Sequence, residues 1–432
     1  MFNKLENWVF YIFIFSIPIS LRHIFWFEPF NFIEWTSVYI YATDILLFVL
    51  LGFWIKSKSF QFPVSSLQKA DYFLLAFVVV AGFSIWGALD VQTAVFQWLK
   101  LIEGVALYFY VKNYALKRFE LRHILEIIII SATFQSIIAI AQFMKQGSLG
   151  LKYLGESPLA PAFSGIAAFL VDGAKIIRVY GTTPHSNVLA LYLFIALGTF
   201  YSIAIYQKRG WLWHVCHGVI LWAFFLTFSR VIIGLWLINF LIRSLLVRFY
   251  KPFHKEFWED SEMRRRSLKI FLMTIIVGAL FVSCYWSYVA NRSIISSGDE
   301  AIQLRILYNQ ESLAGGVNWF GLGLGNFVPW LMTQDLHLSR EIYQPVHNIY
   351  LLIYSETGIV GVALFLLFLA FLLYDFYHRL FAGRRIKKLY HFSFALIIVS
   401  ILIFGLFDHY LWTIQSGRLL FFLALGLLAG AE

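Results

Sequence analysis

Four ionisable side chains stand where a strongly apolar chain tolerates them poorly: Arg178, Arg230, Arg305 and His347. Arg230 closes Thr227-Phe-Ser-Arg230, a short connection between two apolar runs. Arg178 opens Arg178-Val-Tyr-Gly181-Thr-Thr-Pro184-His185-Ser-Asn187, just ahead of another run. Arg305 falls within Ile302–Leu313, whose apolar residues 302, 306, 307 and 313 share one face of a surface helix. His347, in Pro345-Val-His347-Asn348-Ile-Tyr350, begins a further run. A planar guanidinium binds phosphate oxygens in pairs and keeps its charge. An imidazole titrates near neutrality and accepts a proton. The set fits binding of a phosphate ester and deprotonation of a nucleophile. Each residue also has a plainer reading. Arg230 snorkels to lipid head groups, Arg305 lies on a solvated face, Arg178 is a loop charge, and His347 caps a helix.

The elements that position them are membrane spans. The 432 residues are 60% hydrophobic and 13% charged, with a mean hydropathy of +0.74. A soluble domain has too little interior for that much apolar surface. The apolar runs are near-continuous rather than alternating, which selects helices over a barrel. About twelve spans follow, at 8–25, 37–55, 72–89, 96–111, 123–143, 186–206, 211–228, 231–249, 270–290, 348–376, 391–407 and 416–431. Basic residues such as Lys56, Lys117, Arg118, Arg264–Arg266, Arg384 and Arg385 crowd alternate connections, placing those connections and both termini in the cytoplasm. The net charge of +10 then reports topology and contact with anionic lipid, not nucleic-acid binding.

The first run lacks a small-residue cleavage site and reads as a retained anchor. Residues 1–432 read as one transmembrane domain. Its two long outer loops are 144–185 and 291–347, the latter between helices 9 and 10. In the first loop, apolar Phe163–Val171 is too short to span and is expected to lie at the interface or dip into the bundle.

Other signals are negative or minor. Gly321-Leu-Gly-Leu-Gly325 follows no parallel strand and reads as a tight turn, not a nucleotide loop. The histidines, including His337 and His347, lack metal-ligand spacing, and no metal is expected. Paired carboxylates of the glycosidase kind and a Gly-x-Ser-x-Gly elbow are absent. Cys216 and Cys284 read as apolar-run thiols. Asp44, Lys100 and Glu103 sit in outer halves of helices, with Lys100 and Glu103 spaced to pair. Glu356 lies over two turns below His347 on about the opposite side of its helix, so a structural hydrogen bond is expected of it. Asp408-His409-Tyr410, in the last outer loop, is a candidate for the same cavity as His347.

From about Arg178 onward, the order of these features resembles the O-antigen ligase and O-antigen polymerase superfamily. The resemblance rests on Ser229-Arg230, on a long outer loop with Arg305 and Gly321-Leu-Gly-Leu-Gly325-Asn326-Phe327, and on His347-Asn348-x-Tyr350-Leu351. Glu356-x-Gly358-x-x-Gly361 follows. It implies an all-α GT-C-type bundle in the bacterial cytoplasmic (inner) membrane, with the active site on the extracytoplasmic face. The implied activity is metal-independent, inverting transfer of a glycan from undecaprenyl diphosphate to an acceptor hydroxyl. By the same resemblance Arg230 and Arg305 clamp the diphosphate, Arg178 adds an anion contact and His347 is the base. Asn348, Tyr350, Glu356 and Asp408 support them. The acceptor is lipid-linked, of the lipid A–core kind in the ligases, and no cofactor is implied. Ligases and polymerases share these residues, and the well-formed Ser-Arg and His-Asn-x-Tyr segments favour the ligase type. A transporter or flippase of lipid-linked glycans is the alternative of another class. It would spread ionisable residues through the bilayer, and no internal repeat is visible to support it.

Overall fold

The computed structural model describes residues 2–27, 32–57, 67–249, 259–294, 300–314, 319–334, 339, 342–382 and 385–430. The helices, in chain order, are α1 (Phe2–Ser16), α2 (Ala42–Lys56), α3 (Lys69–Phe83), α4 (Val91–Tyr110), α5 (Leu121–Lys145), α6 (Ser186–Tyr206), α7 (Trp211–Leu226) and α8 (Arg230–Phe249). They continue with α9 (Ser261–Cys284), α10 (Trp286–Ser293), α11 (Glu300–Ala314), α12 (Phe327–Met332), α13 (Ile349–Ala382), α14 (Arg385–Phe404), α15 (Tyr410–Thr413) and α16 (Gln415–Gly430). Two antiparallel hairpins complete the set, β1 (Arg22–Trp26) with β2 (Val38–Tyr41), and β3 (Ala168–Val171) with β4 (Ala174–Ile177). Among the described residues, six helical segments are long and apolar enough to cross a membrane. The fold is therefore mainly helical and of membrane type.

Two expected spans come out differently, and a shorter stretch gains detail. The run at 8–25 stops as a helix at Ser16, because Pro18 cannot continue it, and the chain re-emerges as β1. The run at 37–55 starts as a strand before becoming α2. The apolar stretch Phe163–Val171, too short to span, is partly strand. Its second half is β3, turned back onto β4 by Asp172-Gly173, both at positive φ (50° and 80°). That dipeptide is the strongest local hairpin signal a sequence carries. The surface helix expected at Ile302–Leu313 is present as α11. His337 lies outside the described residues.

The chain forms two compact units. The first comprises Met1–Leu21, Phe119–Ile295 and Leu380–Ile401. Its centre is α6, which is apolar all round and buried along nearly its whole length. Helices α5, α7 and α9 pack on it, and α7 packs on both of the others. The second unit comprises Arg22–Arg118, Ser296–Arg379 and Leu402–Glu432. Its centre is α16, buried from Gln415 to Ala429 and packed on α4. Small residues permit that approach: a Cβ at Gly426 would press on Val111 and on the Tyr108 carbonyl.

Inside the second unit, α13 is broken at Gly358 (φ 72°). A break at membrane depth leaves backbone groups without helical partners, which is tolerated only where protein supplies them. The Gly-rich turn does so. Leu322 N–H donates to the Ser355 carbonyl (2.9 Å), Gly323 N–H to the Glu356 carbonyl (3.0 Å), and Val360 N–H to the Trp319 carbonyl (3.4 Å). The two backbones touch: a Cβ on Gly321 (φ 79°) would strike the Glu356–Thr357 peptide, and one on Gly358 would strike Trp319–Phe320. Alanine at 358 therefore combines a left-handed φ, about 1–2 kcal/mol, with displacement of the turn. Gly358→Ala should lower the thermal midpoint of the detergent-purified protein. Gly52→Ala, in α2 with open space around it, should be neutral or slightly stabilising. Equal midpoints for the two variants would refute the interlock.

Candidate functional site

In the second unit the site is built from the start of α13 outward. Asn348 Oδ1 accepts the N–H groups of Tyr350 (2.9 Å) and Leu351 (3.2 Å), capping the helix. The Ile349 N–H is taken by the Gly405 carbonyl (2.8 Å), and the Tyr350 hydroxyl donates to the Leu402 carbonyl (2.8 Å). Three residues of the His-Asn-x-Tyr segment thus anchor the helix end. The His347 ring stacks parallel to Tyr308 (centroids 5.7 Å) and meets His409 edge-on (4.8 Å). His409 Nδ1 is 2.6 Å from the Thr413 hydroxyl, which holds that second ring in place.

His347 is half-buried, and its Nδ1 is shielded without a hydrogen-bond partner among the described residues. Burial first, and then the positive charge of Arg305, push its pKa down to about 3. The Pro345 carbonyl opposes the shift only weakly. The ring is therefore neutral at physiological pH, the form that accepts a proton. Arg305 Nε is also buried with no partner among the described residues. A guanidinium N–H kept dry and unpaired is costly unless a ligand completes it.

Below this end lies a buried polar network. Lys100 donates to Glu103 (2.9 Å), the expected pairing, and also to Asp44. Gln415 donates to Asp44 (2.7 Å) and Glu103 (2.9 Å). Arg418 donates to the Trp412 carbonyl (3.0 Å from Nε) and to Gln97 (2.8 Å). Glu356 faces the backbone N–H groups of Gly325 and Phe327 and so holds the glycine turn, as the structural reading of it requires. Arg418 and Glu356 line one cavity of about 30 Å³, room for a water. Asp408 is buried beside His409.

In the first unit, α5 presents two glutamines to the loop ahead of α6. Gln142 Oε1 accepts Gly181 N–H (2.8 Å), and Gln135 Oε1 accepts Thr182 N–H (2.8 Å). That loop fixes Arg178, whose Nε donates to the Thr227 carbonyl (2.6 Å) and whose Nη2 donates to Asn187. Ser229 donates to the same Asn187 oxygen (3.0 Å). Two of the Arg178 donors are thus engaged with the turn that precedes Arg230. The turn is sharp enough to force Phe228 to a φ of 45°. Beyond it, Arg230 and Arg292 stand on a cavity of about 930 Å³ walled by Phe225, Trp236, Phe281 and Val282.

The structure thus brings His347 and Arg305 together in one unit, and Arg178 and Arg230 in the other. Tyr308, Arg292, Arg418 and the two glutamines escaped the sequence reading. Arg418 had a usable signal, a lone charge inside an apolar run. Arg292 reads from sequence only as a loop charge. Neither family models nor curated proteins give a match to this chain.

Lys100 compensates two carboxylates with side chains no more than 8% exposed. Breaking such a cluster from one side costs about 3–5 kcal/mol. Lys100→Met should sharply lower the thermal midpoint. Adding Asp44→Asn and Glu103→Gln should restore much of it, and a single variant as stable as wild type would remove the network from the folding account.

Proposed function

We propose that this chain is a membrane glycosyltransferase that moves a glycan from a polyprenyl diphosphate, of the undecaprenyl kind, to an acceptor hydroxyl. The observation that carries the reading is the apolar cavity of about 930 Å³ with Arg230 and Arg292 on its wall. Its surfaces match a long isoprenoid and the anionic group at its end. The neutral, half-buried His347 supports the second half of the reaction. In this reading the chain crosses a bacterial cytoplasmic membrane about twelve times, with both termini on the basic-loop side and the reaction on the opposite side.

It is the resemblance that assigns Arg230 and Arg305 to the diphosphate and His347 to the acceptor hydroxyl. His347 takes the proton of the acceptor hydroxyl as its oxygen bonds to the anomeric carbon. The bond from that carbon to the phosphate oxygen breaks, its electron pair leaves with polyprenyl diphosphate, and the configuration inverts. Charge grows on the leaving phosphate, where a prepositioned guanidinium lowers the barrier most. The resemblance favours en bloc transfer of ligase type.

The test is release of undecaprenyl diphosphate from a lipid-linked glycan by the purified protein in nanodiscs, with EDTA and with candidate acceptors. Acceptor-dependent release should survive EDTA. It should fall about 10²–10⁴-fold in His347→Ala, the usual range for a lost base. Full activity in that variant would remove the base assignment, and scrambling of lipid between leaflets without release would favour a flippase.

The pH profile gives an independent check. A folded-state pKa of about 3 keeps His347 neutral well below the ordinary titration range. The acid limb of kcat/KM should therefore lie below a pH of about 5 rather than near the ordinary histidine value. A limb at the ordinary value would show that His347 is not held neutral as described.

A further inference from the structure

A second cavity in the first unit, of about 650 Å³, lies at the other end of α8 from Arg230. Arg243 stands thirteen residues along that helix, about 20 Å at 1.5 Å per residue. The cavity wall combines Arg243, Arg264, Arg265 and three serines with Phe240, Leu268 and Phe271. Arg243 Nε and Nη2 are buried, with no hydrogen-bond partner among the described residues, and its guanidinium lies 5.6 Å from the Tyr201 ring. Among the described residues no carboxylate is bonded to these two Arg243 atoms. Glu262 lies 3.8 Å from Arg265 on the exposed surface, and Asp260 caps α9 through the Met263 N–H. Two dry, unpartnered Arg243 donors facing a cavity with two further arginines call for an anion. The apolar half of the wall excludes a fully hydrated one, and Leu268 stays 57% exposed for an acyl chain to cover.

We propose that this cavity binds the head group of an anionic phospholipid. Arg243, Arg264 and Arg265 surround its phosphate, and Phe240, Leu268 and Phe271 lie along its acyl chains. Basic pockets between membrane helices, on the face that carries basic loops, take such lipids. The proposed phosphate ligands Arg243, Arg264 and Arg265 take no part in the transferase reading, whereas Phe240 lines both this cavity and the larger one that carries Arg230.

The experiment uses the full chain, purified in neutral detergent and stripped of lipid. Equal amounts of phosphatidylglycerol and phosphatidylcholine with matched acyl chains are offered, and retained lipid is counted by native mass spectrometry. The wild type should prefer phosphatidylglycerol. Arg243→Gln should reduce that preference about fivefold, the effect of one basic residue at a lipid surface. Arg243 is interior, so its variant carries a folding risk. The double change Arg264→Gln with Arg265→Gln, at the exposed start of α9, should reduce the preference at least as much in a normally folded protein. Equal retention of the two lipids by wild type would overturn the proposal, as would an unchanged preference in the double variant. Excess inorganic phosphate forms a third arm. Displacement of phosphatidylglycerol by phosphate would assign the arginines to a soluble anion and overturn the lipid reading, whereas lipid that stays bound supports it.

Discussion

Lys100, Asp44, Glu103, Gln415 and Arg418 meet within the second unit because none of them is stable alone in an apolar interior. Desolvating one such charge costs several kcal/mol, and only a close partner returns it. Lys100 belongs to α4, Asp44 to α2, and Gln415 and Arg418 to α16, so satisfying the charges joins three helices at one depth. The glycine turn is tied to the same region through Glu356. His347 stands at the end of the helix that this arrangement supports. The site geometry therefore rests on a polar cluster that takes no direct part in the proposed chemistry.

A second constraint acts on the backbone. Gly358 interrupts α13, and the N–H and carbonyl groups freed there pair with residues 319–323 instead. The loop is thus part of the membrane-depth structure rather than an appendage to it. The same logic operates in the first unit with side chains as the suppliers. Gln135 and Gln142 pair with the Tyr180–Thr182 backbone, Arg178 with Thr227, and the strained Phe228 turn that precedes Arg230 is held as a result. In both units the residues nearest the candidate chemistry are fixed by groups that complete an otherwise unpaired backbone.

The sequence disclosed the features that depend on one residue type in an unusual place. Arg230, Arg305 and His347 stood out because charge is rare in apolar runs, and the glycine turn because Gly321, Gly323 and Gly325 alternate so closely. Lys100 and Glu103 were readable as a pair from their spacing, but Asp44 is 56 positions away from Lys100 and only folding joins them. The Arg178 contacts with Thr227 and Asn187 were not legible, because a loop arginine carries no sign of how its donors are used. Tyr308 and Arg292 look ordinary in their own segments. Hydrophobicity alone also extended the first span through Pro18 into β1, since an apolar strand and an apolar helix end are alike in composition. The Asp172-Gly173 dipeptide is legible as a hairpin turn, a signal that hydropathy does not carry.

The order of elements along the chain adds a consequence for biogenesis. In the second unit α16 follows every other element, yet it is the most enclosed of them. Asp44, Lys100 and Glu103 are synthesised and inserted well before Gln415 and Arg418 exist to complete their cluster. The interior of this unit must therefore stay open, and its charges provisionally hydrated or paired among themselves, until α16 threads into the gap left for it. A nascent chain stalled ahead of Gln415 would hold a bundle without its axis, with Asp44 and Glu103 lacking the Gln415 amide that bonds both.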